Sequence, residues 1–509
     1  MPFYGNAGDS PALRAAKVAA IPDNFAISSN ERHIMRIITI FAFIFVFCSN
    51  VFSADKFELI VEIRIQSLMT SAQNLTLLSD NIIPGTSGVI GVAVASLAFD
   101  PKLAGFDLTS PIQLLGFGSK TAEPKELQWC IAMSPKNTDN PITQIQDKKR
   151  IIFVKAVGER SVLSYNKALL ASIVELPVAE DTKDEYDIKA VFYPRKFLDY
   201  FPEGLSSIKK EITDMVLKKS GRGDEDLNNL KVFTIKMAEL EKAVSQFVKT
   251  DININFKKDK LSVNSEFFPI EGSSTEAFIK AQTKTAADSN ACDTGTGALI
   301  SYGRIDLTEQ LKNEILDMLK EILIETTEDY NPEITDFFSE LAKSFSGDFR
   351  FRMDSFDSGS VSFLETSVSK GKCQTLKDFI SASKKFKEVK KGIYSFNPEN
   401  ADKEKYNSFI NLNGKYSRIV YGKTSISPVE KLITEGISTS PEKKVDANIS
   451  LYAFSNDDKN GRKLLVSAGF IFNEKTITIN TEIFEECLKK AVPPELIPKK
   501  RQENLDKSE

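Results

Sequence analysis

Beyond position 53 the chain contains no histidine; the only one, His33, lies upstream of an apolar stretch that reads as an export signal. Its loss excludes Ser-His-Asp and Cys-His catalysis, histidine-ligated zinc and imidazole pH switching from everything downstream. Tryptophan is nearly absent too, with Trp129 alone, which argues against a sugar-stacking cleft. No excess of basic residues exists. The first 53 residues carry four basic and three acidic side chains, which leaves 62 basic against 67 acidic and excludes the charge footprint of a nucleic-acid binder. Cysteine is sparse: Cys130, Cys292, Cys373 and Cys487 follow the signal, and no two are close enough in sequence to suggest a metal pair. In an oxidising compartment the four allow three full pairings. Cys130, inside the apolar run Leu127–Met133, reads as a buried free thiol, whereas Cys292 and Cys373 sit in loop-like contexts and form the first pairing to test.

The export signal spans residues 35–53. Arg36 closes a short basic start, Ile37–Cys48 is uncharged and apolar, Ser49-Asn50 is a polar exit, and Val51-Phe52-Ser53 before Ala54 offers small residues where a signal peptidase reads. The apolar core is about a dozen residues, short of the roughly 18–20 that span a bilayer. Phe47 before Cys48 does not fit a lipoprotein site. Membrane contact is therefore expected only through the transient signal, with the protein periplasmic or extracellular after cleavage. Residues 1–34 lack sustained periodicity, and Glu31-Arg32 is encodable by a purine-rich run just upstream of Met35. This points to Met35 as the initiator and to 1–34 as a mis-annotated, disordered leader.

The rest reads as α+β. Alternating Phe57–Ile65 is a strand, Leu68–Ser79 a helix, and Gly85–Gly91 a Gly-rich connection that leads into Val92–Ala98. Strands follow at Ile112–Phe117, Leu127–Met133, Ile151–Val157 and Ser161–Ser164, with helices near Ile142–Gln146 and at Lys167–Val174. After an acidic break at 180–186 come a strand at Asp187–Tyr193 and helices around 205–216, stopped by Gly221, and 230–248. A hairpin then sets Ile252, Ile254 and Phe256 against Leu261, Val263 and Phe267, and a short helix covers Glu276–Ala281. Polar, small 286–296 is the expected main boundary. Beyond it the pattern predicts a strand at Ala298–Ile305 and helices at Leu307–Glu325 and Ile334–Phe345, signed by an Asp306/Glu309 capping box and by Asn331-Pro332. Strands at Asp348–Met353 and Ser360–Thr366, a helix at Leu376–Val389, strands near Ile393–Phe396 and Arg418–Tyr421 and a helix at Val429–Ile433 follow. A meander of Ala447–Phe454, Leu464–Phe472 and Thr476–Thr481, a short helix and a charged tail over 491–509 complete the chain.

The two openings align without a gap at an offset of 240: Leu59-Ile60 with Leu299-Ile300, and Arg64-Ile65 with Arg304-Ile305. The order strand–helix–helix–strand–strand begins near 57, 187 and 298. Two domains are therefore expected, 54–285 and a second at 296–490 that repeats it, each laying helices on one face of an antiparallel sheet. With the signal peptide, the run Gly105–Pro111 before a strand and the strand-to-helix run Lys155–Leu170, this layout resembles large exported proteins of unknown function from planctomycete- and lentisphaera-type bacteria. That resemblance implies no catalytic residue.

Short motifs add little. Gly116–Thr121 has the wrong spacing for a phosphate loop and reads as a strand-ending turn. Asp293-Thr294-Gly295 and Asp357-Ser358-Gly359 imitate the aspartic protease signature, but no apolar strand precedes either, and turn chemistry accounts for both. Ser206–Lys209, Ser367–Lys370 and Ser381–Lys384 satisfy Ser-x-x-Lys, while Ser455–Asp457 and Lys423–Ser425 stand in the wrong order to accompany them. Arg222-Gly223-Asp224 reads as a helix stop, and Lys384–Lys391 as a solvated helix face. No catalytic, metal or cofactor residue is nominated. The leading expectation is a non-enzymatic, surface-binding or structural protein of the envelope or periplasm, its partner an envelope protein. A carrier of an apolar, lipid-like ligand between helices and sheet comes next, motivated by abundant phenylalanine. A histidine-free hydrolase working through paired carboxylates is third.

Overall fold

The structure, a computed structural model, describes residues 57–177 apart from 84, 89, 93–99, 101, 120–126, 138–141 and 148–149; 186–201; 242 and 244–282; 291–292; 298–320 apart from 311, 315, 318 and 319; 332–395 apart from 357–358, 370 and 384–385; 407–436 apart from 414–415 and 423; 439–440; and 447–491 apart from 458–460. It is an α+β protein dominated by antiparallel sheet. The chain forms two units: one of Met1–Leu59, Arg64–Lys183 and Leu488–Glu509, the other of Ile60–Ile63 and Asp184–Cys487. The expected boundary at 286–296 falls inside the second of these.

The first unit takes the ends of β1 (Glu58–Ile65), then α1 (Leu68–Ile82), β2 (Phe106–Asp107), β3 (Ile112–Gly118), β4 (Gln128–Pro135), β5 (Gln144–Asp147), β6 (Arg150–Val157), β7 (Arg160–Ser164) and α2 (Lys167–Ser172). The strand order is β3–β4–β7–β6–β5, with β2 also on β4. Leu115, Cys130, Ala132, Val157 and Val162 form a core with Leu169 and Leu170 of α2. Local chemistry fixes the helix ends. Ser67 accepts the Thr70 N–H to start α1, and Asn166 accepts those of Ala168 and Leu169 to start α2. The Lys155 ammonium donates to the carbonyls of Leu170 and Ile173 at 3.0 and 2.6 Å, a cation on the negative end of α2.

The second unit continues with β8 (Ile188–Phe192), α3 (Pro194–Tyr200), β9 (Phe247–Phe256), β10 (Lys260–Pro269), α4 (Ser274–Ala281), β11 (Ala291–Cys292) and β12 (Leu299–Arg304). It then runs through α5 (Pro332–Ser344), β13 (Phe345–Phe356), β14 (Gly359–Val368), α6 (Lys372–Ala382), β15 (Lys387–Lys390), β16 (Ile393–Ser395), β17 (Asn407–Asn413) and β18 (Tyr416–Gly422). Last come α7 (Ile426–Glu435), β19 (Thr439–Ser440), β20 (Ile449–Asp457), β21 (Gly461–Phe472), β22 (Ile477–Phe484) and α8 (Glu485–Ala491). The middle of β1 pairs with β8, and the order continues β8–β9–β10–β22–β21–β20–β12–β13–β14–β18–β17–β16–β15. β11 and β19 make a separate small pair.

Helices cover both faces of this sheet around β17 and β18, not one. Val429 and Ile433 of α7 pack with Phe363, Phe409 and Val420, while Phe337 and Leu341 of α5 and Leu376 and Ile380 of α6 pack with Ile410 and Leu412. Phe409 and Ile410 are neighbours on one strand, so they point to opposite sides. Such consecutive apolar residues mark a strand buried twice.

Several local expectations are corrected. Ile142–Gln146 is not helical: 144–147 is strand β5, held by β6 with Gln144 opposite Phe153. Tertiary pairing outweighs a short apolar period there. The connection at 85–91 is helical at 86–88 and 90, and Val92 continues it; the Asp80 carboxylate accepts the N–H groups of Gly85 and Ser87 at 3.1 and 2.9 Å. The helix from Leu376 ends at Ala382, and the basic stretch after it is the edge strand β15, bulged at Val389. The helix expected from Leu307 opens at Glu309, with Lys312 N–H donating to the Thr308 carbonyl, and the Asp306 carboxylate accepts from Arg304 at 3.0 Å. On β9 Phe267 stands opposite Thr250, and its apolar neighbours are Ile477 of β22 and the Phe247 ring, centres 5.5 Å apart; Ile254 does oppose Val263 and Phe256 opposes Leu261. β2 and β17 had no counterpart in the reading by periodicity. The helix at 205–216, Arg222–Asp224, 93–98 and most of 230–248 lie outside the described residues, and Phe247-Val248, expected to end a helix, open strand β9.

Candidate functional site

β9 carries two different faces. Val248, Thr250, Ile252, Ile254 and Phe256 alternate with Lys249, Asp251, Asn253 and Asn255, and pleating sends the two sets to opposite sides. The register extends this polar set across the neighbouring strands. Asn253 stands opposite Lys189 of β8 and Asn264 of β10, and Asn264 opposite Asn480 of β22. One pleat along, Asp251 opposes Glu266, which opposes Thr478; on the other side, Asn255 opposes Ser262, which opposes Glu482. The reverse face holds Ile254, Val263, Ile479 and Phe470, and Phe472 there meets Phe278 of α4 edge-on, ring centres 5.3 Å apart.

Ion pairs organise the polar face. Lys249 Nζ donates to Asp251 Oδ2 at 2.9 Å, and Lys189 Nζ lies 3.8 Å from the same oxygen. Lys189 is 5% and Asp251 8% exposed, so this is a buried carboxylate held between two ammonium groups. Lys249 also lies 5.0 Å from the Phe268 ring centre. On the far side Lys260 Nζ binds Glu482 at 2.5 Å above the Phe484 ring. Three buried oxygens nevertheless have no donor: Asp251 Oδ1, Asn253 Oδ1 and Ser262 Oγ. All three belong to this one face of β9 and β10. Next to them Asn264 and Asn480 are exposed, which leaves the centre of the row open to solvent.

A second buried charged group is complete in itself. Arg350, Glu365 and Arg418 occupy directly opposed positions on β13, β14 and β18. Glu365, 2% exposed, accepts from Arg350 at 2.6 Å and from Arg418 Nε at 2.5 Å, and Arg418 also donates to the Thr434 carbonyl at the end of α7. With every oxygen used, it is architecture rather than a reactive group. In the first unit, Arg160 donates to the carbonyls of Pro111 and Ala132 and to Gln113 Oε1. Burial and the neighbouring Arg64 lower the pKa of Arg160. Asp107 accepts from the Ser110 and Thr109 hydroxyls and the Thr109 N–H, which lowers its pKa to about 2. The run Gly105–Pro111 is thus a turn closed on its own aspartate.

The residues singled out by sequence do not converge. Gly116 and Gly118 are extended residues of β3. Ser367 Oγ is used by Ser346 and by the Asp348 backbone, and Ser381 sits on α6. Asp293–Gly295, Asp357, Ser358, Ser206–Lys209, Lys370 and Lys384 lie outside the described residues. Cys373 is a free thiol, 6% exposed, in the first turn of α6 against Leu376 and Phe337. That apolar setting replaces the loop expected for a partner of Cys292, which pairs through its backbone with Thr439. Among the described residues no three acidic or cysteine side chains gather as metal ligands, and no helix is long and apolar enough to cross a membrane. The polar set of β9 is the other half of the alternation that marks the strand as apolar, and Lys-x-Asp-x-Asn-x-Asn at strand period is its sequence signal. Comparison with protein-family models, curated proteins and solved structures finds no match.

Proposed function

We propose that this is an exported, non-enzymatic binding protein of the cell envelope or periplasm, which engages its partner through the polar face of β9, β10 and β22. The observation that carries the reading is the row Asn253–Asn264–Asn480, directly opposed on three adjacent strands and flanked by fixed ion pairs. A hydrolase would need two acids free to exchange protons. The best-placed pair, Asp251 opposite Glu266, has its first member tied to two lysines. Export rests on residues 35–53.

The scaffold is, in this reading, a duplicated one, with 296–490 repeating 54–285. Strand order supports it. In the first unit the order is β3–β4–β7–β6–β5, and β7, the last of these in the chain, leads into α2; in the second, β13–β14–β18–β17–β16 has the same order, and β18 leads into α7. Outward from the β10–β22 pair, β9, β8 and β1 on one side answer β21, β20 and β12 on the other. The binding row would then lie where two related halves meet.

Two measurements test this. Amino-terminal sequencing of the protein from the native host is expected to start at Ala54; a chain beginning upstream of Met35 overturns the export reading. Retention of the purified protein on washed envelope is expected to drop at least tenfold for Asn264→Arg, an exposed position that tolerates the longer side chain. Equal retention of variant and wild type refutes the assignment to this face.

A further inference from the structure

We propose that the apolar side of the second unit's sheet, from β8 to β13, is a dimer interface on which a second copy of this chain lays the same surface face to face. The strand register defines that side. One row runs from Ile254 through Val263, Thr481, Ala468 and Leu451 to Ser301. The row on one flank passes Ile479 and Phe470, and the row on the other passes Leu261 and Val466. Between β8 and β13 these three rows carry no charged residue. The opposite side of the same strands holds Lys189, Asp251, Glu266, Glu482 and Arg350.

This apolar side is open. None of the large apolar side chains in the three rows is fully buried. On β8 the usual order is inverted: Lys189 and Val191 of the polar side are buried, while Ile188, Ala190 and Phe192 are only half-buried. The helices that pack on the apolar side do so at its margins. Phe197 of α3 meets Phe192, and Phe278 of α4 meets Phe472, both at the end row that also contains Thr250. There Thr250 falls to 6% exposure. Beyond β14, α5 and α6 bring Ile410 and Leu412 down to 2% and 4%. Where a helix lies on this sheet, burial records it, and the three rows between these margins show no such burial.

Extent, composition and symmetry point to a second copy. Eight strands at about 4.8 Å and three rows at about 6.8 Å cover roughly 38 by 20 Å, or about 750 Å². A stable protein interface takes about 800 Å² from each partner, and a permanent dimer's interface has the composition of a core cut in half. Isoleucine, leucine, valine and phenylalanine without a charge match that composition. In a twofold contact each residue near the axis meets its own copy, so a charge there would repel itself, and a charge-free patch avoids this. A lipid surface fits less well, because no lysine, arginine, tryptophan or tyrosine stands in the three rows to hold headgroups. A single lipid tail on so open a face would stay largely in water. Two sheets packed this way stand about 10 Å apart. Each copy then carries its Asn264 and Asn480 on the outside of the pair.

Sedimentation equilibrium of the intact mature chain at about 1–50 μM is expected to give twice the chain mass. Thr481→Lys, half-buried at the centre of the face, should weaken the dimer at least about a hundredfold with an unchanged far-ultraviolet circular dichroism spectrum. The open face of a monomer hydrates the ammonium group, whereas the dimer buries it. Ser265→Lys, one row away and already polar, should do the same and serves if Thr481→Lys does not fold. Asn264→Arg, on the opposite side, should leave the dimer intact, which keeps this test separate from the envelope-binding one. A monomeric wild type overturns the proposal, and lipid retained by that monomer in native mass spectrometry would give the face to a lipid instead. A dimer that survives both lysine variants, or one that Asn264→Arg dissociates, also overturns it.

Discussion

Replacing Glu365 by glutamine tests whether buried charge holds the second unit together. The side chain is 2% exposed and lies between two guanidinium groups at 2.6 and 2.5 Å. Glutamine keeps the shape but removes the negative charge and turns an NH2 donor toward one arginine. Arg350 and Arg418 would then face each other across β14 with no anion between them. Breaking a buried pair from one side costs about 3–5 kcal/mol. Arg418 keeps its bond to the Thr434 carbonyl at the negative end of α7, which places the expected loss near the lower end, about 3 kcal/mol. That is a large share of the roughly 5–15 kcal/mol that stabilises a domain. Urea unfolding followed by far-ultraviolet circular dichroism measures it. Replacing Glu365, Arg350 and Arg418 together by methionine should recover most of the loss, because no charge is then stranded. A single-variant loss under about 1 kcal/mol, or a triple variant weaker than the single, refutes the argument.

Other expectations follow from the same geometry. Gly436, at φ +84° and ψ −172° after α7, would bring an alanine Cβ into Glu365 Oε2, so Gly436→Ala should cost at least the roughly 1–3 kcal/mol of a residue forced into a glycine-only backbone region; an unchanged melt would contradict this. Asp107 is more acidic folded, at about 2, than its ordinary 3.8, through the Ser110 and Thr109 hydroxyls. Its contribution is therefore complete above about pH 4 and disappears as pH falls toward 2; with solvent screening it stays under about 1 kcal/mol. Asp107→Asn should flatten the stability profile only in that window, and an effect at neutral pH on the slope of stability with pH would speak against it. Among Cys130, Cys373 and Cys487, maleimide should label half-buried Cys487 first, with Cys130 and Cys373, 1% and 6% exposed, reacting only on unfolding. A native peptide cross-linked between Cys292 and Cys373 would overturn the free-thiol assignment.

Strands whose alternation is regular were legible in the sequence. The β9–β10 hairpin and the meander β20–β22 follow from period-two patterns, and α5 follows from Asn331-Pro332 ahead of an amphipathic run. What failed was decided elsewhere in the chain. β5 is a strand because β6 offers it an edge, and β15 is a strand because β16 does; neither segment has a strong preference of its own. The start of the following helix is displaced locally: Arg304, two residues from Asp306, takes its carboxylate in an ion pair, and the helix opens at Glu309. The candidate face was half legible, since the alternation gave its strands but only the register sets three asparagines in one row.

That row also carries an argument from cost. Asparagine is a poor strand residue because its amide competes with the backbone for hydrogen bonds and packs little surface. Threonine or valine at 253, 264 and 480 would suit the sheet better, as Val263, Ile254 and Ile479 do on the reverse face. At the β10–β22 pairing, where two strands distant in sequence must find each other, cross-strand contacts are also what stabilises the register. Placing three asparagines there, with a buried aspartate and two lysines beside them, weakens the sheet at its junction. Departures from local consistency of this kind concentrate where a surface is shaped for binding rather than for folding. The edge strand β15 shows the opposite choice. Its exposed Lys387, Glu388 and Lys390 and its bulge oppose pairing with another chain, so the fold closes its rim to strand addition and leaves its polar centre open.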